Sequence, residues 1–461
     1  MPKHMDDRVV MSINPATGET LSSWPYADPA QIESTVAAAH RASISWRGLG
    51  AARRALFLRA VAGVLRTNKE RLARTITLEM GKPVSEAEAE VEKSAWNCEY
   101  VAEHGPAWLA DEMVATQAKA SYVAYLPLGV VLSILPWNFP VWQIIRAAAS
   151  ALVAGNTFLL KHAPNVQGCA ALVTELMHTA GLPGGVFLNL HVPVASVGAI
   201  IADRRVAAVT VTGSPGAGAA VAAQAGAACK KSVLELGGSD AFIVLADADL
   251  DAAVGAGVRA RFTNCGQVCL AAKRFIVEAS IAEDFTARFA AAATALKRGD
   301  PLQPGTQLGP MARADLREQL DAQVQKSLQA GAQLIAGGKR VAGAGWYYEP
   351  TVVSAVSPAM PVVAEETFGP VAAILPVRDA EAAVATANDS LYGLSAMVWT
   401  RDTDRARVLA RQLDVGGVFI NSVTASDPRL PVGGVKLSGY GRELGRTGML
   451  ELCNAQTVWV A

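Results

Sequence analysis

From Gly129 onward, strand-length apolar runs alternate with helix-length stretches, and this alternation restricts the fold more than any other feature of the chain. Gly129 to Leu135 reads as a strand, Val141 to Gly155 as a helix and Thr157 to Lys161 as a second strand. A helix from Gln167 to Ala180, strands near Phe187 to Leu190 and Ala207 to Val211, and a helix from Ala217 to Ala228 continue the series. Strands connected through helices pair in parallel and are covered on both faces, so each can be apolar along its whole length. This predicts an α/β fold with a Rossmann-like, doubly wound sheet, in which ligands lie at the carboxyl ends of the strands.

A second alternating series opens at Val233, with strands near Val233 to Leu236, Phe242 to Leu245, Phe275 to Glu278, Val371 to Pro376, Ser395 to Thr400 and Gly417 to Asn421. Helices at Leu250 to Thr263, Ala380 to Asn388 and Asp404 to Leu413 lie between them, predicting a second α/β lobe whose boundary falls near Lys231. A chain of 461 residues is long enough for two such cores. The first hundred residues read as helices after a short extended start at Asn14 to Gly18. Asp28 followed by Pro29 is a cap with proline at the first helical position, opening a helix to about Ala42. Ala51 to Arg66, Asn68 to Met80 and Ser85 to Tyr100 follow, the last with Glu86, Glu88, Glu90 and Glu92 as a solvated face. Gln456 to Val460 is a β-prone segment with no partner near it in sequence.

Charge excludes one class of partner. The 41 basic residues balance 41 acidic ones, so the chain lacks the broad positive field of a nucleic-acid binder. The stretch Met1 to Asp7 has acidic residues and no apolar run behind it, unlike a signal peptide. The most apolar region, Tyr122 to Ile145, is interrupted by Pro127, Gly129, Pro136 and Pro140 and is not expected to span a membrane. The six cysteines lack the spacing of a disulfide framework or a zinc site, which suits reduced thiols in the cytoplasm and no bound metal.

Chemistry concentrates in a few short stretches. In Asn264-Cys265-Gly266-Gln267-Val268-Cys269, Cys269 is the candidate nucleophile; Cys265 is either a bystander or one half of a reversible disulfide. Glu235, among apolar residues at a strand end, is the candidate general base, because burial raises a carboxylate's pKa. The alternative for it is an ion pair with a lysine such as Lys231. Pro136-Trp137-Asn138-Phe139-Pro140 follows a strand and precedes a helix, so its prolines hold Asn138 where the amide and the nucleophile's own N–H can stabilise an oxyanion. Thr212 to Gly218, containing Gly213, Ser214 and Gly218, is a glycine-rich strand-to-helix turn of the kind that takes a nucleotide phosphate, although it matches neither usual fingerprint.

Together these motifs resemble the aldehyde dehydrogenase superfamily over nearly the whole chain. Further stretches carry the likeness: Lys161, Glu235-Leu236-Gly237-Gly238, Glu365 to Pro370 and Gly433 to Glu443. The resemblance implies that the Cys269 thiolate attacks an aldehyde, that Asn138 and the Cys269 amide hold the oxyanion of the thiohemiacetal, and that Glu235 activates water to release the acid from a thioester. It also implies an NAD or NADP site formed by Pro136, Trp137, Lys161, Pro164, Gly213, Ser214, Gly218, Leu236, Gly237, Glu366 and Phe368. The family commonly has a glutamate where Pro164 stands, and proline offers no acceptor to an adenine ribose, so weak discrimination between NAD and NADP is expected. His162 stands where proline is usual, and Val432 where phenylalanine is usual.

Within the family the chain looks most like bacterial succinate-semialdehyde dehydrogenases. Arg146 coincides with an arginine that binds the far carboxylate there, and an arginine so placed could form a bidentate clamp or a structural ion pair. A second arginine often found before the asparagine of the cysteine motif is replaced by Thr263, with Ser426 and Arg429 as candidate substitutes and Trp142 as a further wall of the substrate site. The implied organisation is a cofactor-binding domain at 1–110 and 128–232, a catalytic domain at 233–430, and oligomerisation segments at 111–127 and 431–461 that also complete the substrate site. The expected partners are a small aldehyde and further copies of the chain, as a homodimer or homotetramer. The family pairs a segment like Ser121 to Tyr125 with a neighbouring subunit's C-terminal strand. A CoA-acylating enzyme is disfavoured by Glu235, and an inactive structural homologue by the presence of Cys269, Glu235, Asn138, Lys161 and Glu366 together.

Overall fold

Two parallel sheets, each with its own apolar core, carry the fold of the computed structural model, which describes residues 9–461. The acidic stretch Met1 to Asp7 lies outside the described residues. The first sheet has six strands in the order Gly439–Tyr440, Lys231–Glu235, Val206–Thr212, Val130–Leu135, Thr157–His162 and Phe187–Asn189; all are parallel except the short first one. Thr157–His162 is buried at every position, as a central strand covered on both faces must be. The helix Pro140–Ala154 is likewise buried along its whole length, so apolar residues surround it rather than forming one stripe.

The second sheet has seven strands, ordered Gln333–Ala336, Thr351–Ser354, Val371–Val377, Ala272–Glu278, Asp240–Val244, Ser395–Trp399 and Gly417–Ile420. Only the edge strand Gln333–Ala336 is antiparallel to its neighbour. The boundary expected near Lys231 is therefore displaced. Lys231–Glu235 pairs in parallel with Val206–Thr212 in the first sheet, and the chain changes sheets between Glu235 and Asp240. Two strands follow one another there without an intervening helix, and sequence periodicity does not say which sheet a strand joins.

The N-terminal helices form largely as expected. Asp28 and Gln31 make a reciprocal capping box, Asp28 Oδ1 accepting from Gln31 N at 2.8 Å and Gln31 Oε1 from Asp28 N at 2.9 Å, and the helix runs over Pro29–Gly48, beyond Ala42. The helix Val84–Trp108 does not present its glutamates to water as a set. Glu86 and Glu90, one turn apart, point inward: Glu90 accepts the N–H groups of Val141 and Trp142 at 2.8 and 3.0 Å and pairs with Lys82 at 2.5 Å. Glu86 accepts Asn264 N at 2.8 Å, while Glu92 lies outside and pairs with Arg66. Residues at i and i+4 share a face of a helix, and here that face is turned to Asn264 and to the start of the helix Pro140–Ala154.

The C-terminal strand also departs from expectation. Cys453–Val460 pairs antiparallel with Ala120–Pro127 of the same chain, with Gln456 opposite Ala124, so the partner expected from a neighbouring subunit is supplied internally. Asn156 anchors the join, donating from Nδ2 to Leu452 O at 2.9 Å and accepting Leu128 N at 2.8 Å. Among the described residues no helix is long and apolar enough to cross a membrane.

Candidate active site

The segment before Cys269 makes a turn that few sequences would adopt unaided. Asn264, Cys265 and Gly266 have φ of 54°, 54° and 72°, three consecutive residues in the left-handed region. Buried Arg261 holds the turn, its guanidinium donating to Gly266 O and Gly369 O at 2.6 Å each and to Ala272 O at 3.1 Å. A side chain at position 266 would collide with both Arg261 and Gly369, so glycine is required there. Gln267 closes the other side, donating from Nε2 to Asn264 O at 3.1 Å and accepting Ala312 N at 2.9 Å.

Asn138 is tied directly to this turn. Its Nδ2 donates to Gln267 O at 3.0 Å, and Asn264 Nδ2 donates back to Asn138 O at 2.8 Å. An amide nitrogen carries two hydrogens, which leaves one on Asn138 for an oxygen in the cavity that this residue lines. Pro140 starts the following helix, and Glu90 bonds to its first N–H groups, so the Asn138 loop is held from both ends.

Cys269 lies where two cavities meet. One, of about 430 Å³, is lined by Pro136, Trp137, Gly213, Ser214, Leu236, Gly237, Glu366 and Phe368, which are eight of the eleven residues expected to hold a dinucleotide. Three of the eleven fall outside this wall: Lys161 is the last residue but one of the strand Thr157–His162, Pro164 opens the short turn Pro164–Val166, and Gly218 stands behind Leu236. Ser214 caps the helix Pro215–Ala227 through Ala217 N, so a helix N-terminus opens at the cavity, a ready position for phosphate. A Cβ at Gly237 would meet the Glu366 carboxylate and require it to move, and Trp137 and Phe368 meet edge to face at 5.7 Å.

The second cavity, of about 390 Å³, has Trp142, Arg146 and Ser426 in its wall, together with Lys93, Glu86 and Thr263. Among the described residues only Gln143 and Cys269 line both spaces. Arg146 combines the two readings open to it: it faces the cavity, and its guanidinium is held by Glu443 and by Thr212 Oγ1, the latter at 3.1 Å. Arg429 is no substitute for the missing arginine, since it is exposed, paired with Asp427 at 2.7 Å and stacked over Trp96. Lys93, which its helical surroundings in the sequence give no reason to single out, donates to Ser426 Oγ at 2.7 Å and sits 4.3 Å from the Trp142 ring centre.

Electrostatics around the thiol oppose one another. Burial pushes the Cys269 thiol up to about 11, while Arg146 and Lys273 pull it back and the Glu366 and Glu235 carboxylates push it further. Glu235 is itself held well above the usual carboxylate range, chiefly by burial, with Glu443 adding to the effect and Arg146 and Arg442 opposing it. It is 4% exposed, stands one residue before the cavity wall, and has an unpartnered Oε1. The ion pair with Lys231 does not form, because Lys231 pairs with Glu451 at 2.9 Å. Gly433 allows the approach of this carboxylate, since a Cβ there would meet Glu235 Oε1 at 2.6 Å.

Lys273 is a further residue that the motifs do not mark. Its Nζ donates to Cys269 O at 2.8 Å and Val268 O at 3.1 Å and pairs with Glu366 at 3.6 Å, joining the backbone of Cys269 to the wall of the first cavity. The only signal for it in the sequence is its place four residues after Cys269, near the start of the strand Ala272–Glu278. Cys265 is buried in the second core as a free thiol pushed far above its ordinary value by burial, as are Cys98 and Cys169 in the first core. His162 is buried against Leu135 O at 3.3 Å, and Val432 bridges Glu443, so both family departures are absorbed locally.

Comparison with known proteins agrees with this geometry. A model of the aldehyde dehydrogenase family matches residues 3–458. The succinate semialdehyde dehydrogenase [NAD(P)+] Sad of Escherichia coli is 54% identical over 449 residues, covering 97% of each chain. A succinate-semialdehyde dehydrogenase [NADP(+)] 1 of Mycobacterium tuberculosis is 46% identical, covering 98% of this chain and all of its own. The crystal structure of a succinic semialdehyde dehydrogenase from Streptococcus pyogenes with NADP+ superposes with a TM-score of 0.96 at 35% identity, covering 98% of this chain and 99% of that one.

Proposed function

Because the chain belongs to the aldehyde dehydrogenase family, we propose that it oxidises succinate semialdehyde to succinate with NAD or NADP, through a thioester on Cys269. The position of Cys269 carries this reading: the thiol is shared by a cavity shaped for a dinucleotide and a second one with cationic groups and a hydroxyl in its wall. The first cavity fits its ligand, with a capped helix N-terminus for phosphate, two aromatic rings, and Gly237 where any side chain would strike Glu366. A bound nicotinamide dinucleotide would supply the hydride acceptor there.

The residues of the chain then have definite tasks. Cys269 Sγ forms a bond to the aldehyde carbon, and the free N–H of Asn138 with the Cys269 amide stabilises the oxygen as it gains charge. Glu235, after its side chain turns toward Cys269, takes a proton from water, which attacks the thioester carbon and releases the acid as the C–S bond breaks. Arg146, Trp142 and Ser426 form the substrate wall, and Lys161 and Glu366 would hold the ribose hydroxyls of the dinucleotide. The domain division follows the sheets, with the cofactor unit extended to Glu235.

A kcat/KM panel tests the substrate assignment: aldehydes ending in carboxylate should exceed neutral aldehydes of equal length, and equal values would contradict it. Cofactor choice gives a separate expected outcome. The wild type will use NAD and NADP with comparable kcat/KM, whereas Pro164→Glu will lower kcat/KM for NADP roughly tenfold or more relative to NAD, through repulsion of the ribose phosphate. A strong wild-type preference for NAD would remove the basis of this prediction. The free thiols suit a cytoplasmic enzyme, and the mostly exposed edge strand Cys453–Val460 suits a homodimer or homotetramer, which light scattering would measure.

A further inference from the structure

Besides Cys269, the described residues of the second cavity's wall include five charged or chargeable side chains, Glu86, Glu90, Lys93, Arg146 and Arg259, and their pairing leaves an imbalance. Glu90 is neutralised by Lys82, and Arg146 by Glu443. That leaves Glu86, Lys93 and Arg259. Arg259 is exposed, where water and salt screen its charge. Lys93 is half-buried and has no carboxylate within ion-pair distance among the described residues. Its contacts are the Ser426 hydroxyl at 2.7 Å and the face of Trp142 at 4.3 Å. An ammonium has three N–H groups, and one bond to Ser426 leaves others for a ligand. Removing a cation from water without a counter-ion is costly, and a half-buried cation kept in the same cavity wall as Cys269 implies an anion that arrives with the substrate.

We propose that Lys93, acting with Ser426, is the cation that recognises the far carboxylate of the substrate, Arg146 being fixed by its own counter-ion. This deepens the succinate semialdehyde reading above and rests on it. Lys93 sets specificity by binding and takes no part in bond making. Charged and titratable groups face it from each neighbouring element: Lys82 and Glu90, Glu86 on its own helix, Arg146 on Pro140–Ala154, Arg259 on Leu250–Phe262 and Asp427 beside Ser426. Burial, reinforced by Arg146 and Lys82, lowers the Lys93 ammonium to about 8, against the pull of Glu90 and Asp427. Glu86, pushed up to about 7 by burial, is partly neutral at neutral pH and so opposes an incoming carboxylate only weakly.

The test is the ratio of kcat/KM for succinate semialdehyde to that for butanal, measured on the full-length wild type, Lys93→Met and Lys93→Arg. Lys93→Met should lower the ratio roughly ten- to a hundredfold, the loss expected for a hydrogen bond between charged groups, and the fall should come through KM. In the wild type the ratio should fall as pH rises past about 8, because kcat/KM reports the free enzyme, whose Lys93 then loses its charge. Lys93→Arg should hold the ratio above that pH, since arginine stays protonated. Glu86 ionises earlier and acts alike on both proteins. A ratio unchanged in Lys93→Met, or the same pH profile for wild type and Lys93→Arg, overturns the role of Lys93 alone. A wild type without preference for the carboxylated aldehyde overturns the substrate reading as well. If Lys93→Met fails to bind NADP and so has not folded, the wild type and Lys93→Arg profiles decide.

Discussion

Cys269→Ala protein will bind NADP and turn over no aldehyde, with kcat lowered by roughly four orders of magnitude or more. The two effects separate because the cofactor cavity is built mainly from the first sheet's loops and from Glu366 and Phe368, and loses only one thiol from its wall. No other thiol can take over. Cys265 is four positions away in sequence, but it is 1% exposed, held at φ 54° and packed in the core of the second sheet. NADPH absorbance at saturating aldehyde and a fluorescence titration with NADP measure the two properties. Activity near that of wild type would transfer the role to Cys265.

Glu235→Gln will produce a burst of NADPH of one equivalent per active site, followed by steady turnover reduced by roughly 10²–10⁴-fold, the usual contribution of a general base. The amide keeps the shape of the carboxylate but cannot take a proton from water, so the thioester forms and persists. The sign of the pH effect follows from the burial of both groups. A Cys269 thiol pushed up to about 11 and a Glu235 carboxyl held above its ordinary range both act only when deprotonated, so wild-type turnover rises toward alkaline pH. A variant showing neither burst nor turnover would mean that Glu235 is also needed to deprotonate Cys269.

The site could be read from the sequence wherever chemistry and local backbone coincide. Two prolines around Asn138, a glycine-rich turn opening a helix after Gly213 and a cysteine stretch containing Gly266 each constrain the backbone within a few residues, and the structure has helices starting at Pro140 and Pro215 and a left-handed turn at Asn264 to Gly266. What sequence could not show depends on distant partners. Arg261 acts through Gly369, Lys273 through Glu366, and Glu90 through Val141, all brought close only by folding. The glutamates after Ser85 have the spacing of a solvated face, and periodicity cannot distinguish water from a polar site on the far side of a helix. For the same reason Lys93 is invisible in sequence, although it touches two of the three residues assigned to the substrate wall. Strand membership is equally non-local: periodicity places the strand near Val233 to Leu236 in the second lobe, whereas Lys231–Glu235 joins the first sheet, and Gln456 to Val460, which has no partner near it in sequence, pairs within its own chain.

Intact mass measurement of Glu235→Gln after reaction with succinate semialdehyde and NADP tests the covalent course most directly. One succinyl group per chain, located on Cys269 by peptide mapping and absent when NADP is omitted, is the expected result. An unmodified chain during NADPH formation, or an acyl group on Cys265, would contradict it.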